Sequence, residues 1–311
     1  MRTRTGHTLT ALLSVLLLAS CGERRQSAAA DPKAREFPPS PQAPSVVTDP
    51  LERGGYVAAH FWDAFLSGSY PCDTALVNGV PREEVESALG RFVTILETVC
   101  DRPQATKAME GFFLKVNDFQ TNNPDSNVFG FFEKMVAKYL YDPNSPVRDE
   151  DLYLPYLNGL LTSSLTTEDM KPAYSRDALM CSLNQVGSSA ADISFTARDG
   201  EKKTLYGIKA DNVLLLFTNP GCPNCEEVIS SLTGSARIGD KVASGRLAVV
   251  NLYIDLEIDK WKALAGEYPK SWINGYDQDY SIRKDLTYCV RAIPSIYVLD
   301  KEKRVVMKDA P

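Results

Sequence analysis

Histidine is almost missing: His7 and His60 are the only two in 311 residues. That excludes His-rich metal sites and most Ser/His/Asp or Cys/His catalysis. Positive charge is also scarce. Lys and Arg total 34 against 40 Asp and Glu, for a net charge of −6. No basic run exceeds two residues, so a phosphate backbone finds no electrostatic footing and nucleic acid is not an expected partner. No stretch reaches the 18 or so apolar residues of a membrane-crossing helix. Phosphate-binding loops, dinucleotide-binding glycine patterns and calcium loops are absent too. Hydrophobic residues make up 44% of the chain and charged residues 24%. That is the composition of a folded protein, and the length suits about two domains.

What is present begins with an address. Arg2, Arg4 and His7 precede the apolar run Leu9–Ala19, which ends in Leu18-Ala19-Ser20-Cys21. Residues 1–20 therefore read as an export signal. The Cys at its end resembles a bacterial lipobox, which implies lipidation of Cys21 and anchoring to a membrane through its acyl chains. Residues 21–49 carry Pro32, Pro38, Pro39, Pro41 and Pro44 among small and charged residues. A flexible or extended tether is expected there.

Residues 50–186 have helical rhythm. Val85, Leu89, Phe92, Leu96 and Val99 recur along one helix face just after Pro81. Val128, Phe131, Phe132, Met135, Tyr139 and Leu140 form a second stripe. Further helices are expected over 52–67, 104–118, 149–164 and 167–185, parted by Pro and Asn clusters. An all-helical domain is expected, its aromatic stripes serving as core.

The texture changes at about residue 190. Ile193–Ala197 and Lys203–Tyr206 flank Asp199-Gly200, a hairpin signal. Val213–Phe217 and Leu247–Ile254 read as strands covered on both faces. Ser295–Leu299 and Arg304–Lys308 read as a closing hairpin. The expected whole is an α+β two-domain chain, with helices at 50–186 and an α/β unit with a mixed sheet at 190–311.

Chemistry concentrates in Cys222-Pro223-Asn224-Cys225, where a strand is expected to become a helix. Three residues make almost one helical turn, so both sulfurs share a face and can close a disulfide. Pro223 suits a first helical turn. The helix N-terminus favours a thiolate on Cys222, while Glu226 and Glu227 oppose it. With no second Cys-X-X-Cys and one histidine beyond the leader, no metal is expected. Proline leads the apolar strand in Ile293-Pro294-Ser295-Ile296.

With that pair and that proline about 70 residues apart, residues 190–311 resemble the thioredoxin superfamily, most of all its extracytoplasmic, cytochrome-maturation-like branch. The resemblance implies that Cys222 is the nucleophile and Cys225 the resolving thiol. It implies that Ile293-Pro294 is a cis-proline dipeptide whose backbone docks substrate. Tyr139-Leu-Tyr-Asp-Pro-Asn-Ser-Pro-Val-Arg148 and the segment ending Trp272-Ile-Asn-Gly-Tyr276 resemble Gram-negative lipoproteins that join a helical domain of unknown role to a thioredoxin-like one. Leu216 stands where thioredoxin keeps a buried acid, and Pro-Asn replaces Gly-Pro between the cysteines. The chain stops at Pro311, so the family's C-terminal helix is expected to be absent.

The resulting expectation is a lipid-anchored periplasmic thiol–disulfide oxidoreductase that works without a cofactor. It would reduce disulfides of envelope proteins and draw electrons from a membrane dithiol donor. Its rivals are a redox-inert binding scaffold and a thiol peroxidase. Cys289, five residues before Pro294, is a candidate third redox thiol, with packing or a structural bridge as alternatives. Pairing among Cys72, Cys100, Cys181 and Cys289 stays open. If helices 52–67 and 82–100 are antiparallel, Cys72 and Cys100 lie about 28 Å apart, far beyond disulfide reach. His60, Trp261 and Trp272 are expected to pack, with the segment around Trp261 and Trp272 forming an insert before the proline.

Overall fold

The computed structural model describes residues 34–308. The expected signal, Cys21 and the start of the tether lie outside the described residues, as does the chain's end at 309–311. No helix among the described residues is long and apolar enough to cross a membrane.

Six helices come first: α1 (Pro50–His60), α2 (Arg82–Thr98), α3 (Arg102–Asn122), α4 (Val128–Leu140), α5 (Glu150–Thr162) and α6 (Lys171–Ser182). A two-residue hairpin, β1 (Leu76–Val77) and β2 (Val80–Pro81), precedes α2. Aspartates start three of the helices. Asp49, Asp101 and Asp149 accept the backbone N–H groups of Glu52, Gln104 and Leu152, which would otherwise lack partners. Gln104 returns the bond to Asp101, closing a capping box. The apolar stripes meet in one aromatic core. Trp62 stacks on Phe112 at 4.8 Å and meets Phe132 edge-on at 4.8 Å, geometries that suit the ring quadrupole.

Two expectations change here. α1 stops at His60 rather than continuing to 67. The chain then coils so that Phe61, Trp62 and Phe65 all face the core. Asn78 Nδ2 holds that coil by donating to the Phe65 and Gly68 carbonyls at 2.8 and 3.0 Å. The described part of the expected tether is also fastened. Arg35 donates to the Phe65 carbonyl at 2.7 Å and lies 4.1 Å over the Tyr70 ring. Phe37 stacks on Phe65 at 5.4 Å.

The remaining strands are β3 (Ser194–Ala197), β4 (Lys202–Thr204), β5 (Asn212–Phe217), β6 (Leu247–Tyr253), β7 (Ile273–Tyr276), β8 (Ser295–Leu299) and β9 (Val305–Lys308). They form one mixed sheet in the order β4-β3-β7-β6-β5-β8-β9. Strands β5, β6 and β7 run parallel, and the outer pairings are antiparallel. Between them lie α7 (Pro223–Gly234), α8 (Ala236–Ala243), α9 (Ile258–Leu264) and α10 (Ser281–Lys284). Strand β5 shows why a continuous apolar run is needed: Val213, Leu215 and Phe217 enter one core, and Leu214 and Leu216 enter another beneath α7.

The segment expected as an insert supplies β7. Its sequence, Ile273-Asn-Gly-Tyr276, has little strand character. Gly275 is required because a Cβ there would sit 2.7 Å from Phe195 Cδ2 and 2.8 Å from the Thr196 carbonyl. Trp261 and Trp272 are buried, each in a different cluster against the sheet.

Candidate active site

Strand β5 ends at Phe217 in the middle of the sheet, and the chain must leave it at once. Asn219, Pro220 and Gly221 make the turn. Gly221 adopts φ +71°, a conformation that L side chains rarely take. Cys222 then caps α7, with Pro223 in the first turn. The Cys225 N–H points at Cys222 Sγ from 3.3 Å. This donor faces a sulfur at a helix N-terminus, where backbone N–H groups favour negative charge. Cys222 is half-exposed, whereas Cys225 is 1% exposed. Burial, followed by the neighbouring Cys222, pushes the Cys225 thiol up to about 12. One thiol therefore faces solvent while its neighbour is kept protonated behind it.

The segment before β8 closes the other side. Ile293–Pro294 is a cis peptide, and the Ile293 carbonyl lies 3.8 Å from Cys222 Sγ. Sequence separation of 71 residues is thus reduced to contact. Fold geometry explains it: β8 pairs with β5, placing Ser295 opposite Phe217.

A buried polar chain that the sequence alone does not reveal begins at Thr218, four residues before Cys222. Leu216 pairs across the sheet with Asn251 of β6. Thr218 Oγ1 donates to Asn251 Oδ1 at 2.5 Å, and Asn251 Nδ2 donates to Asn274 Oδ1 at 3.1 Å. Asn274 in turn donates to the Pro269 carbonyl at 2.8 Å. All three side chains are buried, so their mutual bonding is what makes burial tolerable. The polar group near the expected acid position therefore sits one strand over, and it is an amide that cannot ionise. Its signal in the sequence was a single Asn within the apolar run Leu247–Ile254.

A cleft of about 320 Å³ opens beside Cys225, with Pro220, Ile229, Leu264 and Tyr268 among its walls. Burial pushes the Tyr268 hydroxyl up to about 12. Among the described residues, no three His, Cys, Asp or Glu side chains gather as a metal ion would need.

The other cysteines lie elsewhere. Cys72 and Cys100 carry half-exposed free thiols, and Cys181 carries a buried one. Cys289 is buried, and its thiol donates to Glu150 Oε1 at 3.5 Å. His60 is on the surface, with Nδ1 2.6 Å from Asp63 Oδ2.

A family model described as a domain of unknown function, DUF5106, matches residues 19–179. No curated protein matches the chain. Among solved structures, a thioredoxin-like protein from Bacteroides caccae superposes with a TM-score of 0.75 at 32% identity. That match covers 88% of this chain and 94% of the other, a span that neither the helical nor the sheet half could supply alone. The C-terminal domain of an uncharacterized protein from Bacteroides fragilis aligns at 41% identity, over 41% of this chain and 91% of that one, with a TM-score of 0.40. The thioredoxin domain of a thiol-disulfide oxidoreductase from Bacteroides vulgatus aligns at 26% identity, over 40% of this chain and 89% of that one, with a TM-score of 0.35. The mixed sheet with its strand-to-helix cysteine pair is thioredoxin-like, and the chain that carries it belongs to the DUF5106 family.

Proposed function

We propose that this protein is a thiol–disulfide oxidoreductase that reduces disulfides in protein substrates through Cys222 and Cys225. The observation that carries the reading is the asymmetry of the pair. Cys222 is half-exposed at a helix N-terminus, and Cys225 is buried one turn behind it.

In the proposed exchange, the Cys222 thiolate attacks one sulfur of a substrate disulfide. A mixed disulfide forms and one substrate thiolate leaves. Cys225 loses its proton and attacks Cys222 Sγ, which releases the second substrate thiol. The substrate gains two electrons, and the protein is left with a Cys222–Cys225 disulfide. A membrane dithiol donor returns two electrons to that disulfide, and no organic cofactor enters. The raised thiol of Cys225 keeps it protonated and idle until the mixed disulfide draws it in. The backbone at Ile293-Pro294 borders Cys222 and would guide the substrate chain. Cys289 stays outside the exchange, since its buried thiol lies against a carboxylate.

The same reading assigns residues 1–20 to an export signal, Cys21 to lipid attachment and 21–49 to a tether. It places a helical domain at 50–186 and the redox domain at 190–311, in the periplasm of a Gram-negative cell. The motif resemblance to the extracytoplasmic, cytochrome-maturation-like branch is the ground for proposing reduction, and not oxidation, as the working direction.

The test uses the mature chain. Cys222→Ser should abolish reduction of insulin disulfides, and Cys225→Ser should accumulate mixed disulfides on Cys222. Full insulin reduction by Cys222→Ser would remove the nucleophile. An empty trap in a folded Cys225→Ser variant would favour a redox-inert scaffold.

A further inference from the structure

One buried carboxylate joins the helical half to the segment that borders Cys222. Glu150 stands in the first turn of α5, where the helix N-terminus favours an acid. Its side chain is 1% exposed. Oε1 accepts from Arg291 Nε at 2.9 Å and from Arg291 Nη2 at 2.6 Å. Oε2 forms an ion pair with Lys308 Nζ at 3.0 Å. A carboxylate this deeply buried persists in the charged form only when cations and donors surround it. Burial pushes the Glu150 carboxyl up, but Lys308 and Arg291 outweigh burial, and it ends below the usual range.

Arg291 is held twice more by the helical half. Nη1 donates to the Tyr141 carbonyl at 2.5 Å, and the guanidinium lies 3.6 Å over the Tyr141 ring. Its planar fork thus meets a carboxylate, a carbonyl and an aromatic face at once, which a lysine could not do. The segment from Arg291 to Pro294 belongs to no strand or helix. Two residues after Arg291 comes the Ile293 carbonyl, 3.8 Å from Cys222 Sγ. Two residues of chain reach only about 7 Å when fully extended, so anchoring Arg291 restricts where Ile293 and Pro294 can go.

We propose that Arg291 is a positioning residue through which Glu150 and Tyr141 of the helical half hold the substrate-bordering segment against Cys222. The helical half is thereby part of the substrate-docking apparatus. The inference rests on the oxidoreductase reading for its functional consequence, but the mechanical claim stands apart from it.

The experiment compares the mature chain with its Arg291→Met variant, in which Lys308 still partners Glu150. Arg291→Met should raise KM for insulin by about tenfold while kcat falls less than about threefold. Amide exchange across 291–296 should quicken by about tenfold, with β5 and α7 holding their parental rates. Arg291→Lys should recover part of the KM loss, since it keeps the charge and loses the fork. Should Arg291→Met fail to fold, Tyr141→Leu removes the ring under the guanidinium, together with its bond to Asp177 and its stack on Tyr153, keeps the backbone carbonyl that Arg291 donates to, and should quicken exchange at 291–296 by about threefold, whereas the control Asp177→Asn should leave that exchange unaltered. Unaltered KM and unaltered exchange in a folded variant would overturn the inference. If the parent chain does not reduce insulin, the oxidoreductase reading falls, and amide exchange alone decides the positioning claim: faster supports it, unaltered overturns it.

Discussion

The two halves of this chain bury polar side chains for different ends. The helical core is dominated by rings, with Trp62, Phe92, Phe112 and Phe132 packed against one another, and its buried Asn78 bonds only to backbone groups of the neighbouring coil. The sheet half bonds Thr218, Asn251 and Asn274 side chain to side chain, in a buried chain that begins four residues before Cys222. An apolar core gives stability in proportion to area removed from water. A buried polar chain adds little net stability and fixes geometry instead. Chemistry is to be sought where buried polar side chains bond to one another. By the same logic the Glu150 node, where the halves meet, marks another such place.

That contrast can be broken at its strongest point first. Trp62→Ala should cost about 4 kcal/mol, because the cavity it leaves is walled by rings that cannot collapse inward. Urea unfolding checks this, and a loss below about 1 kcal/mol would show that the aromatic core is not where stability resides.

Next in size is Glu150→Gln, expected to cost about 3 kcal/mol at pH 7 by leaving Arg291 and Lys308 without their shared anion. The pH dependence has a definite sign. Glu150 is held below the usual carboxylate range by Lys308 and Arg291 against the pull of burial. Its contribution is therefore complete above about pH 5 and drains away as pH falls through the lowered folded value. The stability gap between parent and Glu150→Gln should narrow as urea curves are taken from pH 7 towards pH 3. Asp151, raised by burial, works in the opposite direction and softens the parental acid loss. A gap that stays constant across that range would mean that Glu150 is not the charged centre of the node.

Asn251→Leu probes the buried polar chain and should cost about 2 kcal/mol in urea unfolding, since Thr218 and Asn274 lose their shared partner. The smallest effect belongs to the segment before α1. Arg35→Ala should cost about 1 kcal/mol by removing its carbonyl bonds and its stack on Tyr70. An Arg35→Ala cost as large as that of Trp62→Ala would erase the contrast between a stabilising core and a fastened approach.

Local features were legible in the sequence and long-range ones were not. Ile296–Leu299 and Val213–Phe217 announce themselves by unbroken apolar content. The placement of Cys222 follows from its immediate neighbours, a strand before and Pro223 after. Strand β7 was hidden because Asn274 and Gly275 carry no strand signal, and only contact with Phe195 and Thr196 explains the glycine. The fastening by Arg35 and Phe37 was hidden behind prolines that read as a tether. Glu150 and Arg291 are 141 residues apart, and no local pattern announces a pairing at that distance.

The whole account turns on whether Cys222 and Cys225 interconvert between dithiol and disulfide. The direct measurement is equilibration of the mature chain in graded dithiothreitol buffers, followed by iodoacetamide labelling at neutral pH and peptide mapping. One two-electron transition confined to this pair is expected. In the reduced state Cys222 should label readily and Cys225 should resist, as a thiol pushed up to about 12 requires. A pair that never joins in any buffer, or a Cys225 that labels as fast as Cys222, would contradict it.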